Sequence, residues 1–197
     1  MKTSVDEAGW FAHATREPSP NFDARPEGVV PSLLVLHNIS LPPGQFDGQA
    51  IIDFFQNRLD WQAHPFYEQI RGVRVSSHFL IRRNGTIVQF VPCNDRAWHA
   101  GVSSFFGRDR CNDFSIGIEL EGSDEQPFDD AQYAPLANLA SALIRHYGLT
   151  AIAGHSDIAP VRKTDPGPHF DWPRLRRMLA LPAEYFPYLG MHPLDAR

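Results

Sequence analysis

The sequence predicts an α/β fold in which helices pack on a central mixed β-sheet of about five strands. Residues 33–36 form a short, continuous apolar run, which is typical of a strand buried inside a sheet. Residues 115–121 alternate between apolar and polar side chains, as a half-buried strand does. Residues 131–147 repeat apolar side chains at helical spacing and end before Gly148, which indicates an amphipathic helix.

The chain of 197 residues is long enough to bury a core, and we expect a single domain over residues 1–197. Several prolines interrupt residues 1–30, so we expect an irregular N-terminal arm there. A last short helix is predicted over residues 172–181. Residues 182–197 then form the predicted C-terminal tail.

A β-hairpin is predicted over residues 79–91. Apolar segments at 79–81 and 86–91 flank the pair Asn84-Gly85. This pair is a strong hairpin signal because both residues accept positive φ at low cost.

The remaining segments complete the predicted architecture. Residues 47–55 read as a short helix, and residues 57–76 show no clean period, so we expect a loop there. Residues 151–155 read as a second short strand that ends in histidine. Pro135 must lie in the first turn of its helix or bend it. The polar side chains of residues 115–121 are expected to leave an open polar surface on that side of the strand.

Composition and charge exclude several functional classes. The 18 Lys and Arg residues against 23 Asp and Glu residues leave a net charge of -5, which argues against binding to a nucleic-acid backbone. No apolar run approaches the ~20 residues that a membrane span needs. The two cysteines, Cys93 and Cys111, cannot build a disulfide framework, and residues 1–7 lack the pattern of a secretory signal. We therefore expect a cytoplasmic protein, acting as a monomer without a nucleic-acid or membrane partner.

Three metal-ligand residue types follow predicted strands: His37, His155 and Asp165. Two imidazoles and a carboxylate, with a fourth position for water, form one standard catalytic zinc site. A glutamate on the polar face of the 115–121 strand, Glu119 or Glu121, would accept the proton of that water. Lys163 would then stabilise the oxyanion of a tetrahedral intermediate.

The spacing of these residues is also compatible with purely structural roles. A histidine after a strand is commonly packed or solvated, and we expect this for His13, His64, His146 and His192. The sequence contains no His-Glu-x-x-His, Gly-x-Ser-x-Gly, Gly-x-Gly-x-x-Gly or Walker motif, so it does not indicate a serine hydrolase or a nucleotide cofactor.

Five segments together indicate a family. They read Val35-Leu36-His37-Asn38-Ile39-Ser40, Ser77-His78-Phe79-Leu80-Ile81-Arg82-Arg83-Asn84-Gly85, Ala97-Trp98-His99-Ala100-Gly101, Ile116-Gly117-Ile118-Glu119, and Gly154-His155 followed by Lys163-Thr164-Asp165-Pro166-Gly167-Pro168. This combination resembles the zinc amidases related to phage lysozyme amidase and the peptidoglycan recognition proteins. The resemblance spans roughly residues 10–177.

The resemblance implies roles for individual residues. His37, His155 and Asp165 match the zinc ligands, although many relatives have a cysteine at the third position. Glu119 matches the catalytic carboxylate, and Lys163 matches the residue that assists catalysis beside the metal. His78 belongs to the pattern without being a ligand, so a structural role is expected. The resemblance also suggests substrate-binding residues, namely Asn38, Arg74, Trp98, His99 and Arg110.

Similarity to the cytosolic members of the family implies a substrate. These enzymes hydrolyse the amide between the lactyl group of a 1,6-anhydro-N-acetylmuramic acid unit and L-alanine, in cell-wall recycling. One alternative is a periplasmic amidase that acts on intact peptidoglycan. A non-catalytic peptidoglycan-binding module is another, but such proteins usually lose a ligand and this chain keeps all three. A third alternative, a metal-free structural or regulatory protein, would be supported if His37, His155 and Asp165 lay far apart in the structure.

Overall fold

The computed structural model describes residues 4–189, in which groups of strands are separated by helices. The strands are β1 Thr15–Arg16, β2 Phe22–Ala24, β3 Leu33–Ile39, β4 Phe79–Ile81, β5 Ile87–Gln89, β6 Asp95–Ala97, β7 Ser104–Phe105, β8 Arg108–Asp109, β9 Ser115–Glu121 and β10 Ala151–Gly154. The helices are α1 Ala50–Phe55, α2 Pro65–Gln69, α3 Asp130–Tyr147, α4 His155–Ile158 and α5 Trp172–Leu179. Short 3-10 turns lie at Cys111–Asp113 and Ala183–Tyr185.

The central sheet is mixed and has six strands in the order β1-β5-β4-β9-β3-β10. Strand β3 runs parallel to both β9 and β10, whereas β4 and β5 form an antiparallel pair. The predicted mixed α/β architecture is thereby confirmed, with one strand more than expected. The additional strand is β1, because residues 15–16 of the predicted irregular arm pair with the edge strand β5.

Both faces of the sheet are covered. On one face, Leu34 and Leu36 of β3 and alternate residues of β9 pack against α3 and α5. On the other face, Leu33 and Val35 pack against the segment of residues 100–114. All seven residues of β9 are buried. The expectation of an open polar surface beside this strand was therefore wrong, since the 97–114 region packs over the start of the strand and the loops at residues 47 and 83 bind Glu121 at its end.

The hairpin of β4 and β5 is confirmed, but its turn differs from the expected one. The N–H of Gly85 donates to the carbonyl of Arg82, and the N–H of Arg82 donates to the carbonyl of Thr86. Gly85 has φ +83°, whereas Asn84 does not have positive φ. This is a three-residue loop with a left-handed glycine, a common hairpin connection. A Cβ on Gly85 would lie 2.5 Å from the carbonyl oxygen of Ala131 in α3, so glycine also allows this close approach.

Helix α3 begins at a capping box and ends at a glycine. The side chain of Asp129 accepts from the backbone N–H of Ala131, and the side chain of Gln132 accepts from the backbone N–H of Asp129. At the other end of the helix, Gly148 takes the left-handed conformation. Pro135 lies inside the helix, beyond its first turn, at the place where α3 meets the hairpin.

Other predicted boundaries shift by a few residues. Helix α1 begins at Ala50 rather than at residue 47. The predicted loop over 57–76 contains α2, which was missed because the helix has only five residues. His64 caps α2 by accepting from the N–H of Phe66, so its expected structural role is confirmed. None of the helices within residues 4–189 is long and apolar enough to cross a membrane.

Candidate active site

Strand register places the first two site residues side by side. In the parallel pair of β3 and β9, His37 lies opposite Glu119. In the pair of β3 and β10, Gly154 lies opposite Leu36, so the next residue, His155, reaches the level of His37. Because parallel strands end at the same edge, residues from three distant parts of the chain meet there.

The loop after α4 returns the third residue to this edge. The backbone N–H of Ser156 donates to the carbonyl of Asp165 at 2.8 Å, which fixes the loop against the start of α4. The Nδ1 atoms of His37 and His155 lie 3.0 Å apart. Asp165 Oδ2 lies 2.9 Å from Nδ1 of His37 and 3.0 Å from Nδ1 of His155. The structure thus brings the three predicted ligand residues into one triangle.

This triangle fits a tetrahedral metal ion. The three residues form a cluster able to hold a metal ion. Two neutral nitrogens and one carboxylate oxygen are a donor set that zinc accepts, and the ligand atoms of such a site lie about 3.3 Å apart. The observed separations of 2.9 to 3.0 Å are close to this spacing.

The surroundings of the three ligand residues favour the protonation states that a metal requires. Desolvation is the main cause that lowers the pKa of His37 to about 4, so its imidazole is neutral at physiological pH. Burial opposes ionisation of Asp165, but its close contacts with the imidazoles of His155 and His37 outweigh this effect. The pKa of Asp165 is therefore held below its usual range, and the carboxylate is ionised.

Glu119 is the carboxylate beside this cluster. It is buried, and its Oε2 atom has no hydrogen-bond partner among the described residues. Desolvation raises its pKa well above the usual value, and the charge of Asp165 adds to this effect. The positive charge of Lys163 lowers the pKa of Glu119, which indicates that this half-buried lysine lies near the same site. A carboxylate with an unused oxygen and a raised pKa is suited to accepting and returning a proton.

Glu121 differs from Glu119 although both lie on the same face of β9. Its Oε1 atom accepts from the backbone N–H of Asp47, and its Oε2 atom accepts from the backbone N–H of Arg83. Glu121 therefore fixes two loops at the end of the strand. The geometry supports Glu119 as the acid–base group, which spacing alone left undecided.

The predicted substrate-binding residues lie in different surroundings. The side-chain amide of Asn38 donates to Asp124 and to the carbonyl of Pro166, so it helps hold the Asp165 loop. Arg74 is exposed, and Trp98 is half-buried. Their predicted contacts with substrate stay predictions.

Two further predicted binding residues differ in burial. Arg110 is exposed and pairs with Asp113, with 3.2 Å between Nε and Oδ2. His99 is buried, and its Nδ1 atom lies 2.9 Å from Nε2 of His37. His99 thus lies behind a ligand candidate, on the side away from Asp165.

The structure also contains a cleft of about 1080 Å³ that has no counterpart in the sequence prediction and is lined by none of the three cluster residues. The β7–β8 hairpin and the α4 region form its walls, and Val102, Phe106 and Val161 are exposed there. Arg162, also in its lining, donates to the carbonyls of Ala100 and Val102. The apolar residues of this cleft lie in loops and follow no helical or strand period. The sequence pattern therefore could not predict the cleft.

The remaining histidines follow the expectation of structural roles where the structure describes them. His78 accepts from the N–H of Gly117 and contacts the carbonyl of Asp95. His146 lies in the last turn of α3, next to Tyr147. His192 lies outside the described residues.

The mixed sheet, the buried His-His-Asp cluster and the adjacent glutamate define a hydrolytic enzyme of the α/β class. The family model described as N-acetylmuramoyl-L-alanine amidase matches residues 27–168. The chain belongs to this amidase family.

Similar proteins agree with this assignment. The chain is 57% identical over 179 residues to the 1,6-anhydro-N-acetylmuramyl-L-alanine amidase AmpD of Salmonella typhimurium, covering 90% of this chain and 96% of the relative. A crystal structure of a selenomethionine AmpD derivative superposes with a TM-score of 0.86 at 56% identity, covering 89% and 98% of the two chains. The amidase AmiD of Escherichia coli, in complex with anhydro-N-acetylmuramic acid-L-Ala-D-gamma-Glu-L-Lys, is 33% identical with a TM-score of 0.56, covering 78% and 60%.

Proposed function

We propose that this amidase uses zinc to hydrolyse the bond between the lactyl group of 1,6-anhydro-N-acetylmuramic acid and L-alanine. The observation that carries the proposal is the triangle of His37, His155 and Asp165 beside the unpartnered carboxylate oxygen of Glu119. The names of the AmpD relatives and the ligand of the AmiD complex support the anhydromuropeptide as substrate. The role that follows is recycling of cell-wall fragments.

The chain's own residues supply the positions and the proton transfers. His37, His155 and Asp165 would hold zinc, which supplies Lewis acidity that polarises a carbonyl and acidifies water. Glu119 accepts a proton from the attacking water as the new carbon–oxygen bond forms. It then returns this proton to the amide nitrogen as the carbon–nitrogen bond breaks, leaving a lactyl carboxylate and a free amine on L-alanine. Lys163 contributes positive charge that stabilises the oxyanion.

Glu119→Gln tests the acid–base step. The variant preserves the shape of the side chain but removes its proton-accepting oxygen, so hydrolysis of an anhydromuropeptide should fall by at least about 100-fold. Zinc content, measured by elemental analysis, should stay at the wild-type level. Glu121→Gln serves as the control, since it changes the neighbouring glutamate on the same strand face. Near wild-type hydrolysis by Glu119→Gln would contradict the mechanism.

Removal of the metal tests the cofactor separately. Dialysis against a chelator should abolish hydrolysis, and addition of zinc should restore it. Activity that survives in protein shown to be free of metal would contradict a metal-dependent reaction.

Two substrates distinguish recycling from wall degradation. Release of peptide is measured from a soluble anhydromuropeptide and from intact sacculi at equal concentrations of amide bonds. The proposal expects faster release from the soluble fragment. Equal or faster release from sacculi would favour the alternative of an enzyme acting on intact peptidoglycan.

We extend the proposal to a cytoplasmic monomer. Cys93 and Cys111 are both free and buried, which is compatible with a reducing compartment. Light scattering of the purified protein and fractionation of cells test the two parts, and a stable dimer or an extracytoplasmic location would contradict them.

A further inference from the structure

A chain of hydrogen bonds begins behind His37 and ends on a backbone carbonyl. Nε2 of His37 lies 2.9 Å from Nδ1 of His99. Nε2 of His99 lies 3.1 Å from Oγ of Ser115, and this hydroxyl donates to the carbonyl of Cys111 at 2.6 Å. The side chains of His37, His99 and Ser115 are all buried.

The terminal carbonyl sets the direction of every bond in this chain. The Cys111 carbonyl can only accept, so it takes the single hydroxyl proton of Ser115. Ser115 Oγ must then accept from Nε2–H of His99. The buried His99 ring contacts no carboxylate among its hydrogen-bond partners, so the ring is neutral and, with its proton on Nε2, has an acceptor at Nδ1. His37 must therefore donate from Nε2, which leaves a lone pair on Nδ1, the atom that faces Asp165.

His155 is oriented by the residue next to His99. Its Nε2 atom lies 3.0 Å from the carbonyl of Ala100, which can only accept, whereas the Arg162 guanidinium, which can only donate, is farther away at 3.4 Å. His155 therefore also carries its proton on Nε2 and a lone pair on Nδ1, the atom that faces Asp165. The dipeptide His99-Ala100 thus contacts both imidazoles of the cluster, one through a side chain and the other through a carbonyl.

One side chain holds this dipeptide in place. The Oδ1 atom of Asn112 accepts from the backbone N–H of His99 at 3.1 Å and from that of Ala100 at 2.7 Å. Gly117 makes room for the His99 ring, since a Cβ there would lie 2.6 Å from both Cγ and Nδ1 of His99. The position of the ring is therefore fixed by the hydrogen bonds of its own backbone and by its packing against β9.

We infer that His99, Ser115 and Asn112 are positioning residues that fix both histidine ligands in the tautomer with a free Nδ1. His99 and Ser115 act on His37, and Asn112 acts on both ligands through the dipeptide. This inference rests on the proposed metal site. It also assigns His99 a role behind the site, in addition to the pocket role expected from the sequence.

The first test is zinc affinity, measured by competition with a chromogenic chelator. His99→Leu removes the acceptor while filling the space, and should weaken zinc binding by about 10- to 100-fold. His99→Asn should recover part of this loss, because the Oδ1 atom of an asparagine can occupy the place of Nδ1. Asn112→Leu should weaken binding similarly, whereas Asn112→Asp retains an acceptor and should bind more tightly than Asn112→Leu.

A second buried histidine provides the matched control. His78→Leu removes the polar contacts of the ring with Gly117, Asp95 and Arg25, but no atom of the chain behind His37. It should lower the melting temperature of the metal-free protein and keep zinc affinity close to wild type. The inference is overturned if His78→Leu weakens zinc binding as much as His99→Leu does, or if His99→Leu binds as tightly as wild type.

The tautomer can be read in the zinc-loaded protein. Nitrogen-15 NMR should show His37 protonated at Nε2 in the wild type, with Nδ1 protonation appearing in His99→Leu. A wild-type His37 protonated at Nδ1 would overturn the inference. Failure of the wild type to bind zinc would overturn the proposed metal site and this inference together, whereas equal zinc affinity in wild type and His99→Leu would overturn the inference alone.

Discussion

At the scale of single residues, the site depends on which polar atoms have partners. Both oxygens of Glu121 accept backbone N–H groups, whereas Oε2 of Glu119 has no partner within residues 4–189. A buried carboxyl without partners is costly to ionise. The protein therefore keeps one carboxyl at a raised pKa next to an ionised one, Asp165, and this pair separates the acid–base role from the ligand role.

The raised pKa of Glu119 predicts how stability depends on pH. Between pH 4.5 and the raised pKa, the folded state keeps a proton that the unfolded state has lost, so stability falls as pH rises. Glu119→Gln removes this pH-dependent loss of stability. In metal-free protein, the variant should be more stable than wild type at pH 7 to 8, and the difference should shrink towards zero near pH 4 (about the unperturbed value). Urea denaturation across this range measures it.

Glu121→Gln should have the opposite effect. The amide replaces one acceptor oxygen by a donor that faces a backbone N–H, so the free energy of unfolding should fall by about 1 to 3 kcal/mol at pH 7. Stabilisation by Glu121→Gln, or a pH-independent effect of Glu119→Gln, would contradict this distinction between the two glutamates.

At the scale of elements, β9 gives each residue of its polar face a separate task. Ser115 joins His99 to the last carbonyl of the hydrogen-bond chain, Gly117 makes room for His99, Glu119 faces the cluster and Glu121 fixes two loops. Alternation along the strand brings these residues to one face, and the parallel register with β3 sets Glu119 opposite His37. The strand thus links the core to the site.

Gly117→Ala tests this arrangement. The added methyl would lie 2.6 Å from the His99 ring, so the ring must shift. We expect a loss of about 1 to 3 kcal/mol in stability, typical of overpacking, together with weaker zinc binding. Denaturation and chelator competition measure the two effects.

Gly48→Ala is the matched control. Its nearest neighbour would be the Ala50 nitrogen at 3.9 Å, and Gly48 does not have positive φ, so both quantities should stay near wild type. Equal stability and equal zinc affinity of the two alanine variants would show that the His99 ring does not need a glycine at position 117.

At the scale of the whole molecule, the N-terminal arm is tied to the back of the site. Arg25 is half-buried and donates to four backbone carbonyls, those of Cys93, Asn112, Asp113 and Ser115. Two of these residues, Asn112 and Ser115, carry the side chains that position His99 and Ala100. The arm therefore stabilises the segment behind the two histidines.

Arg25→Met tests how much the hydrogen bonds of Arg25 stabilise the protein. The methionine fills the space but leaves buried carbonyls without donors, so the free energy of unfolding should fall by about 2 to 4 kcal/mol. Arg16→Met is the control, because Arg16 is an arm residue whose ion pair with Asp6 is exposed, and its loss should cost under about 1 kcal/mol. Urea denaturation compares the two variants. A loss for Arg25→Met no larger than that for Arg16→Met would contradict the structural role of the arm.

Much of the fold follows from local patterns in the sequence. The apolar run of β3, the alternation of β9, the spacing of α3 and the glycine of the hairpin each determine an element from neighbouring residues. Elements defined by fewer residues were missed or misjudged. Helix α2 has five residues and β1 has two, and such short segments form because the rest of the fold packs against them.

The sequence by itself determined which residue types stand after the central strands, and so which three could bind a metal. Only the tertiary structure decided that His37, His155 and Asp165 meet within 3.0 Å, that Glu121 is occupied by two backbone groups, and that His99 stands behind His37. The physical reason is distance along the chain. Strand periodicity acts over a few residues, whereas the hydrogen bonds and burial that set tautomers and pKa values join groups tens of residues apart.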